Sequence, residues 1–351
     1  MGAKELLENV VAMKASDVFI IAGSPCVVKR DGKIERYNEQ RLFPQDTEKL
    51  IREIYEIAQK DDIDVFMKTG DDDFSFSIPS VGRFRVNVYK QRNSFAAVIR
   101  IVSFELPDPH DLQIPSIVTD LAKLKKGLVL VTGPAGSGKS TTLACIIDQI
   151  NRQRNTHIIT IEDPIEYLHT HHKSIVSQRE VYHDTKDYVS ALRAALREAP
   201  EVILVGEMRD LETMDIAITA AETGHLIFSS LHTLGAANTI DRMIDVFPSS
   251  QQQQIRVQLS MVLDAVISQQ LLPSTDGKMV PVFEVMICNQ AIRTLIREGK
   301  THQIDNAIAS QRHNGMITMD EAIVELYRQN KITKETALMY AAHANLIEKK
   351  L

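Results

Sequence analysis

Two hydrophobic periodicities divide the chain. Over residues 4–14, Leu6, Leu7, Val10 and Val11 recur at helical spacing, and Ser16-Asp17 then opens a strand at Val18-Phe19-Ile20-Ile21 that ends at Gly23-Ser24-Pro25. Val27-Val28-Lys29-Arg30 predicts the next strand, with Asp31-Gly32 as a hairpin turn. After Pro44, a helix is marked by Leu50, Ile51, Ile54, Ile57 and Ala58 and followed by the acidic stretch Asp71-Asp72-Asp73. The period then changes to two. Phe74, Phe76 and Ile78 alternate with polar residues, and Phe84, Val86 and Val88 alternate with Arg83, Arg85 and Asn87, which predicts paired strands with one polar face. A further strand is expected over Phe95 to Val102. Together these predict a small α+β domain over residues 1–103.

Pro107, Pro109 and Pro115 cluster next, and their fixed φ and missing N–H disfavour both helix and central strand. Residues 104–118 therefore read as a linker. Beyond them, apolar runs at Leu128 to Val131, Ile158 to Ile161, Val202 to Val205 and Leu226 to Phe228 alternate with helical stretches, the pattern of a parallel sheet with crossover helices. Residues 119–351 are expected to form this α/β domain. From about Gln251 the pattern reads as mostly helical. Ile255, Leu259, Val262, Leu263, Val266 and Ile267 make one stripe, and short helices follow Ala291, Thr318 and Thr333.

The 351 residues suffice for two domains with their own cores. An apolar share of 44% and a charged share of 25% belong to a soluble globular protein. A net charge of −6 without any lysine- or arginine-rich block argues against a large nucleic-acid footprint. Cys26, Cys145 and Cys288 lie far apart, which offers neither a metal pair nor a disulfide framework and fits a reducing compartment. No apolar run approaches the ~18 residues of a membrane span, and the first residues lack a signal-type apolar region. A cytoplasmic protein is expected, with any membrane association made through a partner.

The candidate chemistry centres on Gly133-Pro134-Ala135-Gly136-Ser137-Gly138-Lys139-Ser140, which fits G-x-x-x-x-G-K-[ST] between a predicted strand and a helix that starts at Thr141. Glycines let backbone N–H groups turn toward phosphate oxygens, Lys139 adds a point charge, and Ser140 can ligate Mg²⁺. ATP or GTP binding follows. Ile158 to Ile161 runs into Glu162, Asp163 and Glu166, placing carboxylates at the C-terminal end of a buried strand, where they can hold Mg²⁺ or orient an attacking water. Val202 to Val205 ends likewise at Gly206-Glu207, making Glu207 a metal or water partner. Arg209 and Asp210 either order that loop or form a surface ion pair. His225 and His232 bracket Leu226 to Phe228 and so lie at opposite ends of a strand. Either could sense a γ-phosphate as a hydrogen-bond donor, or simply pack. Arg83, Arg85, Arg92 and Arg100 are the first domain's candidates for phosphate contact, against a solvated strand face.

The order of Gly133 to Ser140, then Thr160 to Glu166, then Leu196 to Asp210, then the two-histidine stretch resembles the Walker A, Asp box, Walker B and His box of the type II/IV secretion ATPase superfamily. Within it the chain is similar to the type IV pilus retraction ATPases. Ala15-Ser16-Asp17, Gly82 to Asn87 and Ala291 to Glu298 extend the likeness across nearly the whole chain. The resemblance implies a PAS-like N-terminal domain, a RecA-like motor domain with a helical C-terminal region, and a ring-shaped homohexamer that drives pilus disassembly and twitching motility. It implies ATP and Mg²⁺ at subunit boundaries, with Gly133 to Thr141 and Lys139 on the phosphates, and Ser140, Glu162 and Glu207 serving the metal. Glu166 would be the general base. His225 and His232 would read nucleotide state, and Arg83, Arg85 and Arg100 would reach the phosphates from the N-terminal domain. Implied partners are an inner-membrane platform protein of the pilus and a paralogous retraction ATPase, with no nucleic acid. Ala291 to Glu298 corresponds to a motif needed for retraction.

Three positions depart from the family pattern. Glu201 stands where Asp is usual, Thr294 where Asn is usual, and Phe19 where the two retraction paralogues carry His or Phe. The nearest rival is an assembly or type II secretion ATPase of the same superfamily. Such relatives usually carry a longer N-terminal region and often a tetracysteine module, and this chain has no C-x-x-C. A nucleic-acid motor or a nucleotide-dependent switch on a RecA-like core is the reading from another class, and the acidic balance disfavours the first of these.

Overall fold

The computed structural model describes residues 2–30, 32–61, 63–102 and 106–351. The chain divides into two compact units, Met1–Glu105 with Glu166–Leu168, and Leu106–Ile165 with His169–Leu351.

The first unit carries α1 (Ala3–Ala12), β1 (Asp17–Ile20), β2 (Pro25–Arg30), β3 (Lys33–Arg41), α2 (Pro44–Ile57), α3 (Ile63–Thr69), β4 (Asp71–Ile78), β5 (Gly82–Gln91) and β6 (Ser94–Val102). The strands form one sheet in the order β3-β2-β1-β6-β5-β4, antiparallel at every pairing. The period-two residues behave as expected. Phe84, Val86 and Val88 are buried with Phe74, Phe76 and Ile99, and α1 and α2 contribute Leu6, Leu7, Val10, Ile51 and Ile54 to the same core. Pro44 starts α2 where its missing N–H is harmless, and Asp46 accepts from the Phe43 N–H at 2.7 Å. The acidic stretch falls inside β4, where Asp72 accepts from Lys60 and Tyr55, each at 2.6 Å. The expected Asp31-Gly32 turn includes Asp31, which lies outside the described residues, as do Phe104 and Glu105 of the expected linker. β3 was not anticipated. Its sequence KIERYNEQR is charged and largely exposed, as suits an edge strand.

The second unit comprises α4 (Ser116–Thr119), β7 (Gly127–Thr132), α5 (Lys139–Gln153), β8 (His157–Glu162), β9 (Ile175–Glu180), α6 (Tyr188–Ala195), β10 (Val202–Val205), α7 (Leu211–Glu222), β11 (Leu226–Leu231), α8 (Ala236–Asp245), α9 (Ser249–Val262), β12 (Leu263–Pro273), β13 (Met279–Ile287), α10 (Gln290–Arg297), α11 (Ile304–Ser310), α12 (Met319–Arg328), α13 (Lys334–Tyr340) and α14 (Ala344–Ile347). Its sheet runs β13-β12-β7-β11-β10-β8-β9, parallel throughout except for the β12–β13 pair. Successive residues of the central strands enter opposite cores. Leu128, Leu130, Ile203 and Val205 face a cluster that includes residues of α7, α8 and α9. Val129, Val131, Val202 and Leu204 face one that includes residues of α5. Burial on both faces is why these strands read as unbroken apolar runs.

The expected helical stripe after Gln251 is half right. α9 ends at Val262, and Leu263, Val266 and Ile267 belong to strand β12, which pairs with β7 and with β13. No glycine or proline separates α9 from β12, so nothing local announces the change. Among the described residues no helix is long and apolar enough to cross a membrane.

Candidate nucleotide-binding site

β7 is buried on both faces to Thr132, and the chain then turns through Gly133, Gly136 and Gly138, each with positive φ, into α5. Gly138 is the left-handed N-cap of α5, and no side chain caps that helix end. Its first N–H groups are thus open to an anion, with the helix dipole behind them. The glycines differ in surroundings. A Cβ on Gly133 would fall 2.1 Å from the Gln269 carbonyl oxygen, and one on Gly138 would fall 2.8 Å from Gln269 Nε2. A Cβ on Gly136 would meet nothing within 4 Å. β12 thus backs the loop through Gln269, while Pro134, Ala135 and Gly136 form an exposed front. Gln269 is fastened in turn, since its Oε1 accepts from Thr142 Oγ1 at 2.8 Å.

Lys139 is 8% exposed and folds back over the loop, donating to the carbonyls of Gly133 and Pro134 at 2.9 Å each. Burial holds its pKa below the ordinary lysine value, and the Glu207 charge opposes that shift. Its remaining direction leads to His232 Nδ1 at 3.5 Å, and His232 Nε2 lies 3.3 Å from Glu207 Oε2. An ammonium has no acceptor, so Nδ1 accepts and Nε2 carries the proton that is donated to Glu207. The imidazole thereby links the phosphate-loop lysine to the carboxylate at the end of β10. Glu207 also pairs with Arg209 at 2.7 Å. Asp210 is the N-cap of α7, accepting from the Thr213 N–H at 2.8 Å. The two open readings of Arg209 and Asp210 thus resolve differently, one in an ion pair with a site carboxylate and the other in a cap.

Glu162 ends β8 and accepts from Thr160 Oγ1 at 2.6 Å and from Gln178 Nε2 at 3.2 Å. Ser140 is exposed in the first turn of α5. The hydroxyl of Ser140 and the carboxylates of Glu162 and Glu207 are hard oxygen donors, the set that suits Mg²⁺ together with phosphate oxygens. Among the described residues the buried Ser137 Oγ in this loop has no hydrogen-bond partner.

Of the other expected site residues, His225 lies apart. His225 precedes β11 and its Nδ1 lies 3.0 Å from the Ala220 oxygen, at the opposite end of the strand from His232. At roughly 3.3 Å per residue that separates the two histidines by about 20 Å. Glu166 is exposed and falls with the first unit. Arg83, Arg85 and Arg100 share one face of that unit's sheet, with Arg85 directly opposite Arg100 in the β5–β6 register. Opposed guanidinium groups repel, and the sheet supplies counter-charges. Arg85 pairs with Asp73 at 3.1 Å, and Arg100 with the buried Asp17 at 3.0 Å. Glu201 sits at the start of β10, far from the loop end of that strand. Its Oε2 accepts from Thr156 Oγ1 at 2.7 Å and from the His157 N–H at 2.8 Å, so it ties β10 to β8.

Two residues at the site escaped sequence reasoning. Gln269 is one, because its place depends on β12 lying against β7. Tyr188 is the other. Its hydroxyl packs at Gly206, and burial, followed by the Glu207, Asp163 and Glu162 carboxylates, pushes its phenol pKa up. Beside the loop is a cavity of about 280 Å³. Gly138, Thr141 and Thr142 line one side, Leu271, Met279 and Pro281 another, and Asp111 to Ile114 complete it. It adjoins the first turn of α5.

Residues 3–350 match the family model for type II/IV secretion system protein. The chain belongs to the type II/IV secretion system protein family. Within that family, the type IV pilus retraction ATPase PilT of Pseudomonas aeruginosa is 44% identical over 96% of this chain and 97% of its own length. The type IV pilus ATPase PilU of the same organism is 39% identical over 98% of this chain and 90% of its own. A crystal structure of the pilus retraction motor PilT with bound ADP shares the fold at a TM-score of 0.90 and 46% identity, covering 99% of both chains. The α/β class expected from the sequence is that of these family members.

Proposed function

We propose that this chain is an ATP-hydrolysing motor that powers type IV pilus retraction, working as a ring-shaped homohexamer at the inner face of the cytoplasmic membrane. The observation that carries this is the Lys139–His232–Glu207 chain at the mouth of a phosphate loop, in a chain similar along its length to a pilus retraction ATPase. A PAS-like first domain, residues 1–103, and a linker over residues 104–118 precede the RecA-like motor domain, residues 119–351.

In this assignment the backbone of Gly133 to Thr141 cradles the phosphates, Lys139 leaves its two loop carbonyls for the β- and γ-phosphates, and the base enters the cavity lined by Leu271 and Pro281. Ser140, Glu162 and Glu207 would hold Mg²⁺, which would supply positive charge against the phosphates. A water attacks the γ-phosphorus, the bond to the bridging oxygen breaks, and the water's proton passes to Glu166. His232 donates toward the γ-phosphate or toward Glu207 according to which nucleotide is bound, and so reports its state. Arg83, Arg85 and Arg100 reach the phosphates from a neighbouring subunit, with the Arg85 and Arg100 guanidinium groups held on one sheet face by Asp73 and Asp17. His225, at the far end of β11, has no part in the nucleotide set of its own subunit. The force is passed to the pilus platform protein in the inner membrane, with a paralogous retraction ATPase as a further partner.

A deletion strain scored for piliation and surface motility tests this. Abundant pili without twitching support retraction, and bald cells would assign the chain to assembly instead.

A further inference from the structure

At the carboxyl end of the second unit's sheet, three neighbouring strands each turn one buried polar side chain toward the first turn of α8. Thr132 of β7, Ser268 of β12 and Glu284 of β13 are in register, Thr132 beside Ser268 and Ser268 beside Glu284, so the three lie on the same face. They are 0%, 0% and 4% exposed. The Thr132 hydroxyl lies 3.5 Å from that of Thr239, Ser268 Oγ accepts from the Gly235 N–H at 2.9 Å, and Glu284 Oε1 accepts from the Ala236 N–H at 2.6 Å. Below them the same sheet face is apolar, with Leu128, Leu130 and Val266 in the core. Apolar contact alone would seat α8 without the desolvation that buried polar groups suffer. Hydrogen bonds do what apolar contact does not, which is to fix the helix in direction and register.

Glu284 has a second attachment. Its Oε2 accepts from the Met319 N–H at 3.0 Å, the first residue of α12, so one carboxylate sits at the positive ends of two helices. The β13 backbone holds the same junction, since Val285 and Ile317 exchange hydrogen bonds at 2.9 and 3.2 Å. Burial raises the Glu284 pKa, and the two backbone N–H groups oppose the rise.

Only Thr233, Leu234 and Gly235 separate α8 from His232, whose ring lies between Lys139 and Glu207. We propose that Glu284 is a positioning residue. Its carboxylate sets the first turn of α8, and with it His232, against the phosphate loop, and ties that setting to α12 and the C-terminal helices. The inference rests on the hydrolytic reading given above, in which His232 acts at the nucleotide. Displacement of the first turn of α8 moves the imidazole out of the span between lysine and carboxylate, so catalysis suffers more than binding.

Glu284→Gln in the full chain keeps the shape but points an amide N–H at one of the two backbone N–H donors. The expected result is a fall in kcat of roughly tenfold or more, the scale of a small misplacement of an active group, with KM for Mg-ATP within about twofold. His232→Ala should absorb the effect, so that the double variant is no slower than His232→Ala alone. Ser268→Ala, which removes one neutral acceptor, is the milder probe should the first variant fail to fold. It should lower kcat in the native background and leave it unchanged beside His232→Ala. A lowered melting temperature with kcat unchanged, or independent additive losses with His232→Ala, overturns the inference alone. Absence of ATP turnover in the unaltered protein overturns both it and the hydrolytic reading.

Discussion

Two glycines three residues apart in one loop should respond differently to the same added methyl group. In Gly133→Ala the new Cβ falls 2.1 Å from the Gln269 carbonyl oxygen and 2.9 Å from Ser137 Oγ, with φ at +141°. The obstacle is backbone in a central strand, so β7 and β12 must part by roughly 1 Å, which at the usual cost of overpacking is about 1–3 kcal/mol. The strained φ adds about 1 kcal/mol or more. For a unit of this size each kcal/mol lowers the melting temperature by roughly 2–4 °C, giving a fall of about 5–10 °C. In Gly136→Ala the Cβ meets nothing within 4 Å and φ is +76°, so the backbone penalty of about 1–2 kcal/mol is all that stability loses. That methyl instead stands on the exposed front of the loop, where a phosphate must approach the backbone. Thermal denaturation and titration with a fluorescent ATP analogue separate the two. Gly133→Ala should lose stability most, and Gly136→Ala should melt only a few degrees below wild type with binding weakened tenfold or more, about 1.4 kcal/mol. Equal melting of Gly133→Ala and wild type, or undiminished binding by Gly136→Ala, would refute the assignment of back and front.

The other predictions concern single side chains. Lys139→Ala should lose tight nucleotide binding, whereas Glu207→Gln should bind nucleotide but not turn it over, as equilibrium binding and phosphate release will tell. Glu201→Gln should destabilise by about 1 kcal/mol near pH 7, the net worth of the hydrogen bonds lost. Those bonds hold the Glu201 carboxyl pKa below the ordinary glutamate value, so the stability they add is present above that ordinary value and lost as pH falls through the lowered folded-state value. The gap between the two proteins in denaturant titrations should therefore close on acidification, and a pH-independent gap would contradict the role. Arg293 donates to the Ser260 and Met261 carbonyls at 2.9 Å each and pairs with Asp264 at 2.7 Å, sealing the end of α9. Arg293→Ala should lower stability by about 2 kcal/mol, leave ATP turnover per folded molecule nearly intact and abolish twitching. Loss of turnover in folded protein would contradict it.

The features legible in the sequence are local ones. The phosphate loop announces itself because its glycines, lysine and serine act through their own backbone and first helical turn. β7, β8, β10 and β11 were legible because strands buried on both faces become short, continuous apolar runs. The bracketing of Leu226 to Phe228 by two histidines was enough to separate His225 from His232. β12 was not legible. It follows α9 without a breaking residue, and Leu263, Val266 and Ile267 fit a helical stripe as well as a strand. Gln269 and Glu284 were lost with it, since one acts by backing Gly133 across the β7–β12 pair and the other by reaching α8 and α12 from β13. The opposition of Arg85 and Arg100, and the counter-charges of Asp73 and Asp17, likewise depend on register between strands distant in sequence.

Phosphate release by the purified chain with Mg-ATP, measured beside Lys139→Ala across the assembly states the protein adopts, is the most direct test of a motor driven from the Gly133–Ser140 loop. Sustained turnover that disappears in the lysine variant is the predicted result. A wild-type chain that hydrolyses no triphosphate in any assembly state, or a lysine variant that hydrolyses it as fast, would contradict it.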